Sequence, residues 1–187
     1  LFGIYFFHKT SIFLQKIVQA DSNMEILICQ FIATFCQSSF HFTFCCYINL
    51  KNYDKSFKHS KFASEQGGSR DATTILGVHY TMGFGVDKDY DKAFELFEHA
   101  ARQESCEALH FLGTAYAKGY GIQKNYESAV ICYKKAIALG DKTSINYLSA
   151  LYFKKPALDK NKENADLFSK CTWAQIQKSV HFLGLHD

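Results

Sequence analysis

Two Gly-x-Gly turns, eight histidines and seven cysteines are the residues of this chain whose types could carry chemistry. Gly83-Phe84-Gly85 opens like a phosphate-cradling loop, but the third glycine of G-x-G-x-x-G would fall on Lys88 and no strand pattern precedes it. The same Gly-x-Gly returns at Gly119-Tyr120-Gly121, which points to a structural turn. The histidines form neither H-x-x-x-H nor H-E-x-x-H, and the tightest group, His181, His186 and Asp187, lies at the end of the chain, so no metal site is expected. There is no G-x-S-x-G. Cys106 and His110 stand four apart with no neighbouring residue to activate the thiol. No C-x-x-C occurs, and the cysteines (Cys29, Cys36, Cys45, Cys46, Cys106, Cys132, Cys171) follow no framework spacing, so they read as reduced, packed thiols. Neither a catalytic residue nor a cofactor is expected.

Composition narrows the class further. The apolar fraction is 48% and proline occurs once, at Pro156, while Phe and Tyr are abundant, which fits packed helices. The net charge of +3 is spread along the chain and makes no basic stripe for a nucleic-acid backbone. No Asn-x-Ser/Thr glycosylation acceptor is present, which favours a cytoplasmic, reducing setting over a secretory one. Residues 26–50 carry no charged side chain and are long enough to span a bilayer, although Gln, Thr, Ser, His and Asn dilute them. They read either as a membrane-associated segment, with an endoplasmic-reticulum setting as the alternative localisation, or as apolar helices that cover the first open face of an array. Val18-Gln19-Ala20 resembles a signal-peptide cleavage site, but Lys9 and Lys16 interrupt the stretch before it. The sequence opens at Leu1 without an initiator Met and stops within a repeat, so a fragment is expected.

The elements that hold these residues are set by an internal repeat. Gly77, Gly83 and Gly85 recur 36 residues later as Gly113, Gly119 and Gly121. Ala72, Leu76, Tyr80, Lys88, Tyr90, Ala93 and Ala100 recur at the same interval as Ala108, Leu112, Tyr116, Lys124, Tyr126, Ala129 and Ala136. Upstream, Lys51 to Phe57 echoes Lys88 to Phe94. Downstream, Lys160 to Ala165 echoes Lys124 to Ala129, and His181-Phe182-Leu183-Gly184 echoes His110-Phe111-Leu112-Gly113. Each unit reads as two helices. Ala108, Leu112 and Tyr116 line one face of helix A, and Gly113 leaves a flat spot for a neighbour. Gly119 and Gly121 reverse the chain. Asn125, like Asp89, stands where an N-cap belongs, and Ala129 and Ala136 form the small-residue face of helix B.

The motif A-x-x-x-L-G-x-x-Y-x-x-G-x-G-[VI]-x-K-[DN]-Y-x-x-A, read from Ala72 to Ala93 and from Ala108 to Ala129, resembles the Sel1-like repeat, a relative of the tetratricopeptide repeat. The expected fold is all-α, an α/α solenoid of antiparallel helix pairs. The expected organisation is an apolar helical segment over 1–36 and an array over 37–187, with units at 37–70, 71–106, 107–142 and 143–178 and the start of another at 179–187. Lys155-Pro156-Ala157 stands where the third Gly-x-Gly turn should be, so that turn is expected to be reshaped.

The resemblance implies a non-catalytic scaffold or adaptor that binds a protein segment in the groove of the array, with no small-molecule ligand. Relatives serve in membrane-protein degradation complexes, as activators of cell-wall synthases and as host-interaction factors. It also leaves two alternatives: a β-lactam-type hydrolase, as described for cysteine-rich relatives, and a regulatory repeat segment of a larger enzyme. Those relatives staple each repeat with a disulfide, and the positions that correspond here are Ala101 and Leu109, so the staple is missing. If helix A lines the groove, the side chains away from its Ala, Leu and Tyr stripe face the partner. Periodicity places there Thr74, Val78 and Thr81, then His110, Thr114 and Ala117, then Asn146, Ala150 and Phe153.

Overall fold

The computed structural model describes residues 52–67, 69–159 and 170–185. The segment 1–36, the uncharged run 26–50 and its membrane alternative, the cleavage-site reading, the beginning of unit 37–70, the Lys160 to Ala165 echo, and His186 with Asp187 lie outside the described residues. The described chain is all-α: α1 (Tyr53–Gly67), α2 (Arg70–Met82), α3 (Tyr90–Arg102), α4 (Cys106–Lys118), α5 (Tyr126–Ala138), α6 (Thr143–Lys154), a single 3₁₀ turn (Pro156–Leu158) and α7 (Trp173–Leu183). Among the described residues no helix is long and apolar enough to cross a membrane.

Helices α2 and α3 form one antiparallel pair and α4 and α5 the next, each helix packing on its neighbours in chain order. The starts are written in the sequence. Asp89 caps α3 by accepting from the Lys92 amide at 3.0 Å, and Asn125 caps α5 by accepting from the Ser128 amide at 3.0 Å. A side-chain cap of this type stabilises a helix by about 1 kcal/mol. Ser105 caps α4 in the same way through the Ala108 amide. The ends are equally regular. Gly83 and Gly119 close α2 and α4 in the left-handed region, at φ 76° and 77°, each amide donating 2.8 Å to the carbonyl four residues back.

The turns also join successive pairs. Gly121 has φ 68°, and a Cβ there would collide with the carbonyl oxygen of Tyr90, at the start of the preceding helix B; Gly85 stands in the same relation to Tyr53. The residue between the two glycines then stacks on that tyrosine, Phe84 on Tyr53 at 4.6 Å and Tyr120 on Tyr90 at 4.2 Å, both nearly parallel. Each turn is therefore the lock between one unit and the one before it. Within a pair, the ring of Phe97 lies on Gly77 and the ring of Tyr133 on Gly113, where a methyl group would overlap them. Ala72, Ala93, Ala100, Ala108, Ala129 and Ala136 are all buried and let the helices approach closely. Leu148, Leu151 and Tyr152, clustered with Tyr133 of α5, extend this core into α6.

The third turn differs, for the reason its composition suggests. Helix α6 ends at Lys155 with φ −132° and without a left-handed cap, and Pro156 starts a 3₁₀ turn. Tyr126, at the start of the preceding helix B, has the Lys155 ammonium 6.0 Å from its ring in place of a stacked aromatic ring. The next described helix, α7, is capped by its own residues: Thr172 and Gln175 form a reciprocal capping box, and Gly184 closes it at φ 65°. Gly184 thus ends a helix, whereas Gly113, which it echoes, lies inside one.

Candidate functional site

The A helices, α2, α4 and α6, carry all nine positions expected to face a partner, and the structure divides them. Val78 and Thr81 on α2 are half-buried, as is Asn146 on α6, and Phe153 is 41% exposed. Thr74 is buried; its hydroxyl donates to the Arg70 carbonyl at 2.7 Å and lies 3.3 Å from the Ser105 hydroxyl at the start of α4. Thr114 is buried between the backbone of its own helix, donating to the His110 carbonyl at 3.1 Å, and the Tyr133 hydroxyl at 3.0 Å. Ala117 and Ala150 are fully buried. Those four meet neighbouring helices in this arrangement. Periodicity identifies which side of a helix points away from its own stripe, but not whether the next helix covers that side.

His110 belongs to a polar knot that sequence spacing did not reveal. Its Nδ1 lies 2.9 Å from the Ser144 hydroxyl and 3.5 Å from Asp141 Oδ2. A serine, a histidine and a carboxylate so close together call for comparison with a nucleophilic triad, and the hydrogen-bond directions rule it out. The Ser144 hydroxyl donates to Asp141 Oδ2 at 2.5 Å, so Nδ1 must donate to Ser144 and cannot act as its base. Ser144 is also fully buried. Asp141 further accepts from the Thr143 and Ser144 amides at 3.1 and 2.9 Å, which makes it the cap of α6. The knot thus ties α4 to the first turn of the next helix A. Burial holds the His110 pKa below its ordinary 6.5, with the Asp141 charge opposing, so the imidazole is neutral near pH 7. Burial pushes the Asp141 carboxyl up, but hydrogen bonds from Ser144 and Thr143 and the His110 charge outweigh it and leave the pKa lowered.

His79 has a similar role in the preceding unit. It is fully buried, with Nδ1 2.6 Å from the Phe84 carbonyl and Nε2 2.9 Å from the Ser56 hydroxyl on α1. A carbonyl only accepts, so Nδ1 carries the proton and Nε2 accepts from Ser56. Burial lowers its pKa, with the Phe84 bond opposing. No sequence motif marked His79, Ser56, Asp141 or Ser144; the nearest signal was Asp141 standing two residues before Thr143 at a helix start.

The described thiols offer no nucleophile with its base. Cys106, Cys132 and Cys171 make no disulfide with one another, and burial pushes the Cys132 thiol up to about 11. Among the described residues no group of His, Cys, Asp and Glu is arranged to hold a metal ion.

An array of antiparallel helix pairs, with the turns at Gly85 and Gly121 each docked on the pair before it, defines a helical-repeat solenoid. Its family follows from the comparison with family models: the Sel1 repeat matches residues 50–68, 70–105 and 106–141, and the chain carries three Sel1 repeats. The same architecture appears in solved structures. A protective antigen of uropathogenic Escherichia coli with an SLR fold is 25% identical, at a TM-score of 0.58 over 76% of this chain and 30% of that one. Helicobacter pylori cysteine rich protein B is 26% identical, at 0.52 over 62% of this chain and 87% of that one. A Sel1 repeat protein from Oxalobacter formigenes is 29% identical over 71% of this chain and 49% of that one, at 0.49. The chain therefore spans under half the length of the Oxalobacter and Escherichia proteins. No curated protein matches.

Proposed function

We propose that this chain is a non-catalytic protein-binding scaffold whose A helices present the partner surface. Sel1 repeats generally mediate protein–protein interaction. The observation that supports the reading here is the face of α2. Val78 and Thr81 are half-buried and Met82 is 43% exposed, so one end of the A row presents a mixed apolar and hydroxyl surface to solvent. The repeat glycines and alanines are spent on packing, so the partner is read by these variable positions. Asn146 and Phe153 continue the set on α6. The surface favours apolar contacts and hydrogen bonds over charge matching. The absence of a C-x-x-C pair or framework spacing among the cysteines favours a cytoplasmic setting for it.

The test is affinity capture by the native chain and by a Val78→Arg, Thr81→Arg variant of equal helicity, with the captured protein identified by mass spectrometry. A partner held by the native chain and lost from the variant supports the surface assignment. A partner retained undiminished by the variant refutes it.

A further inference from the structure

Helix α7 lies on two of the A helices. It packs along α6 and reaches back to α4, a further unit along the row. At its C-terminal end, Phe182 stands edge-on to Tyr147 of α6 at 5.6 Å, and the Lys118 ammonium of α4 lies 3.8 Å from the centre of the same ring. At its N-terminal end, Trp173 meets Phe153 edge-on at 5.0 Å. Leu183 and Leu185 are buried in the core cluster that holds Ala117 and Ala150, with Val180 packed against it.

The consequence is seen by comparing equivalent positions. Val78 of α2 is half-open, whereas Ala150, its counterpart on α6, is fully buried; Thr81 is half-open, whereas Ala117 on α4 is fully buried. Leu183 and Leu185 share one core cluster with Ala117 and Ala150, so α7 meets part of this face on α4 and α6, while Phe153 stays 41% exposed at its edge. The covering helix carries its own end signals, a capping box at one end and a left-handed glycine at the other. Trp173, Ile176, Val180 and Leu183 fall at the three- and four-residue spacing of a single apolar stripe.

We propose that α7 is a built-in occupant of the groove, and that the surface beneath it on α4 and α6 recognises a short amphipathic helix of another protein with the same stripe. The inference rests on the scaffold reading and adds the class of partner and its regulation. Such a helix binds by displacing α7, so its apparent affinity is reduced by the fraction of molecules in which α7 is seated. Lys118 and Phe153 are the contacts at the two ends, and an aromatic ring at the position of Phe182 completes the match with the Lys118 cation.

The probe is a fluorescent peptide of residues 170–185, titrated into the full chain, into an Ile176→Asp, Leu183→Asp variant that releases α7, and into a milder Trp173→Ala, Phe182→Ala variant. Binding to the released chains is expected to be tighter than to the native chain by about tenfold or more. It should be lost again when Lys118→Ala and Phe153→Ala are added, or when the peptide carries the two Asp changes. Released chains that keep the helicity of α1–α6 and bind no more tightly than the native chain overturn the inference. If the Asp pair unfolds more than α7, the milder pair decides. A native chain that sediments as a dimer held through α7 assigns the surface to a second copy and overturns it too. None of these outcomes touches capture at Val78 and Thr81, which stands or falls by its own test.

Discussion

The first and third A helices occupy the same place in the repeat and differ in what covers them. Around α2, the turn closes on a left-handed glycine, Phe84 stacks on the preceding unit, and the outer positions Val78 and Thr81 remain half-open. Around α6, Pro156 replaces the glycine turn, the ring stack at Tyr126 is replaced by Lys155, and α7 lies over Ala150 and Phe153. The contrast shows that equivalent helices of one array can be closed by different turns and meet different neighbours.

The largest expected effect breaks the lock on which the regular region depends. Gly121→Val combines a left-handed φ with collision against the Tyr90 carbonyl and should cost about 3 kcal/mol or more in denaturant unfolding. Gly140→Ala, at φ 99° with open space around the added methyl, should cost only about 1 kcal/mol. Similar losses at the two glycines would mean that the backbone angle, not the docking, matters.

On the covered side, Leu183→Ala removes a buried side chain of α7 and should cost about 3 kcal/mol locally, read as faster amide exchange in α7 with α2 unchanged. The knot between α4 and α6 is next in size. Asp141→Ala removes a helix cap and the acceptor of the buried Ser144 hydroxyl proton, a loss of about 2 kcal/mol in thermal or chemical unfolding.

The pH dependence has two separate windows. The folded-state pKa values of His79 and His110 lie below 6.5, so the unfolded chain binds more protons on acidification and stability declines as pH falls from about 6.5 through those values. Asp141, also lowered, contributes stability that is present above its ordinary 3.8 and lost as pH falls below it. Replacing His110 with Gln should leave only the His79 part of the upper window and narrow the lower one, because the His110 charge helps to lower Asp141. The smallest effect is expected from Phe153→Ala, about 1 kcal/mol for an exposed edge-on ring pair.

Much of this architecture was legible in the sequence because it depends on backbone geometry. Glycine is favoured where φ is positive and needed where a carbonyl lies at the place of a Cβ, so Gly83, Gly85, Gly119 and Gly121 marked the turns. Asp89 and Asn125 marked the helix starts for an equally local reason. Pro156 announced the altered third turn. The exposure of the nine groove candidates was only partly legible, because the burial of Thr74, Thr114, Ala117 and Ala150 is decided by helices distant in sequence. The knot of His110, Asp141 and Ser144 was hidden for the same reason: its members lie on two elements 31 to 34 residues apart.

The most direct test of the scaffold account is photo-crosslinking in the presence of the captured partner, with the reactive side chain placed in turn at Val78 on the A face and at Ile131, which is 56% exposed on α5. The account expects partner adducts from position 78 and none from position 131. Adducts from 131 with none from 78 would contradict it and move the binding surface to the B helices.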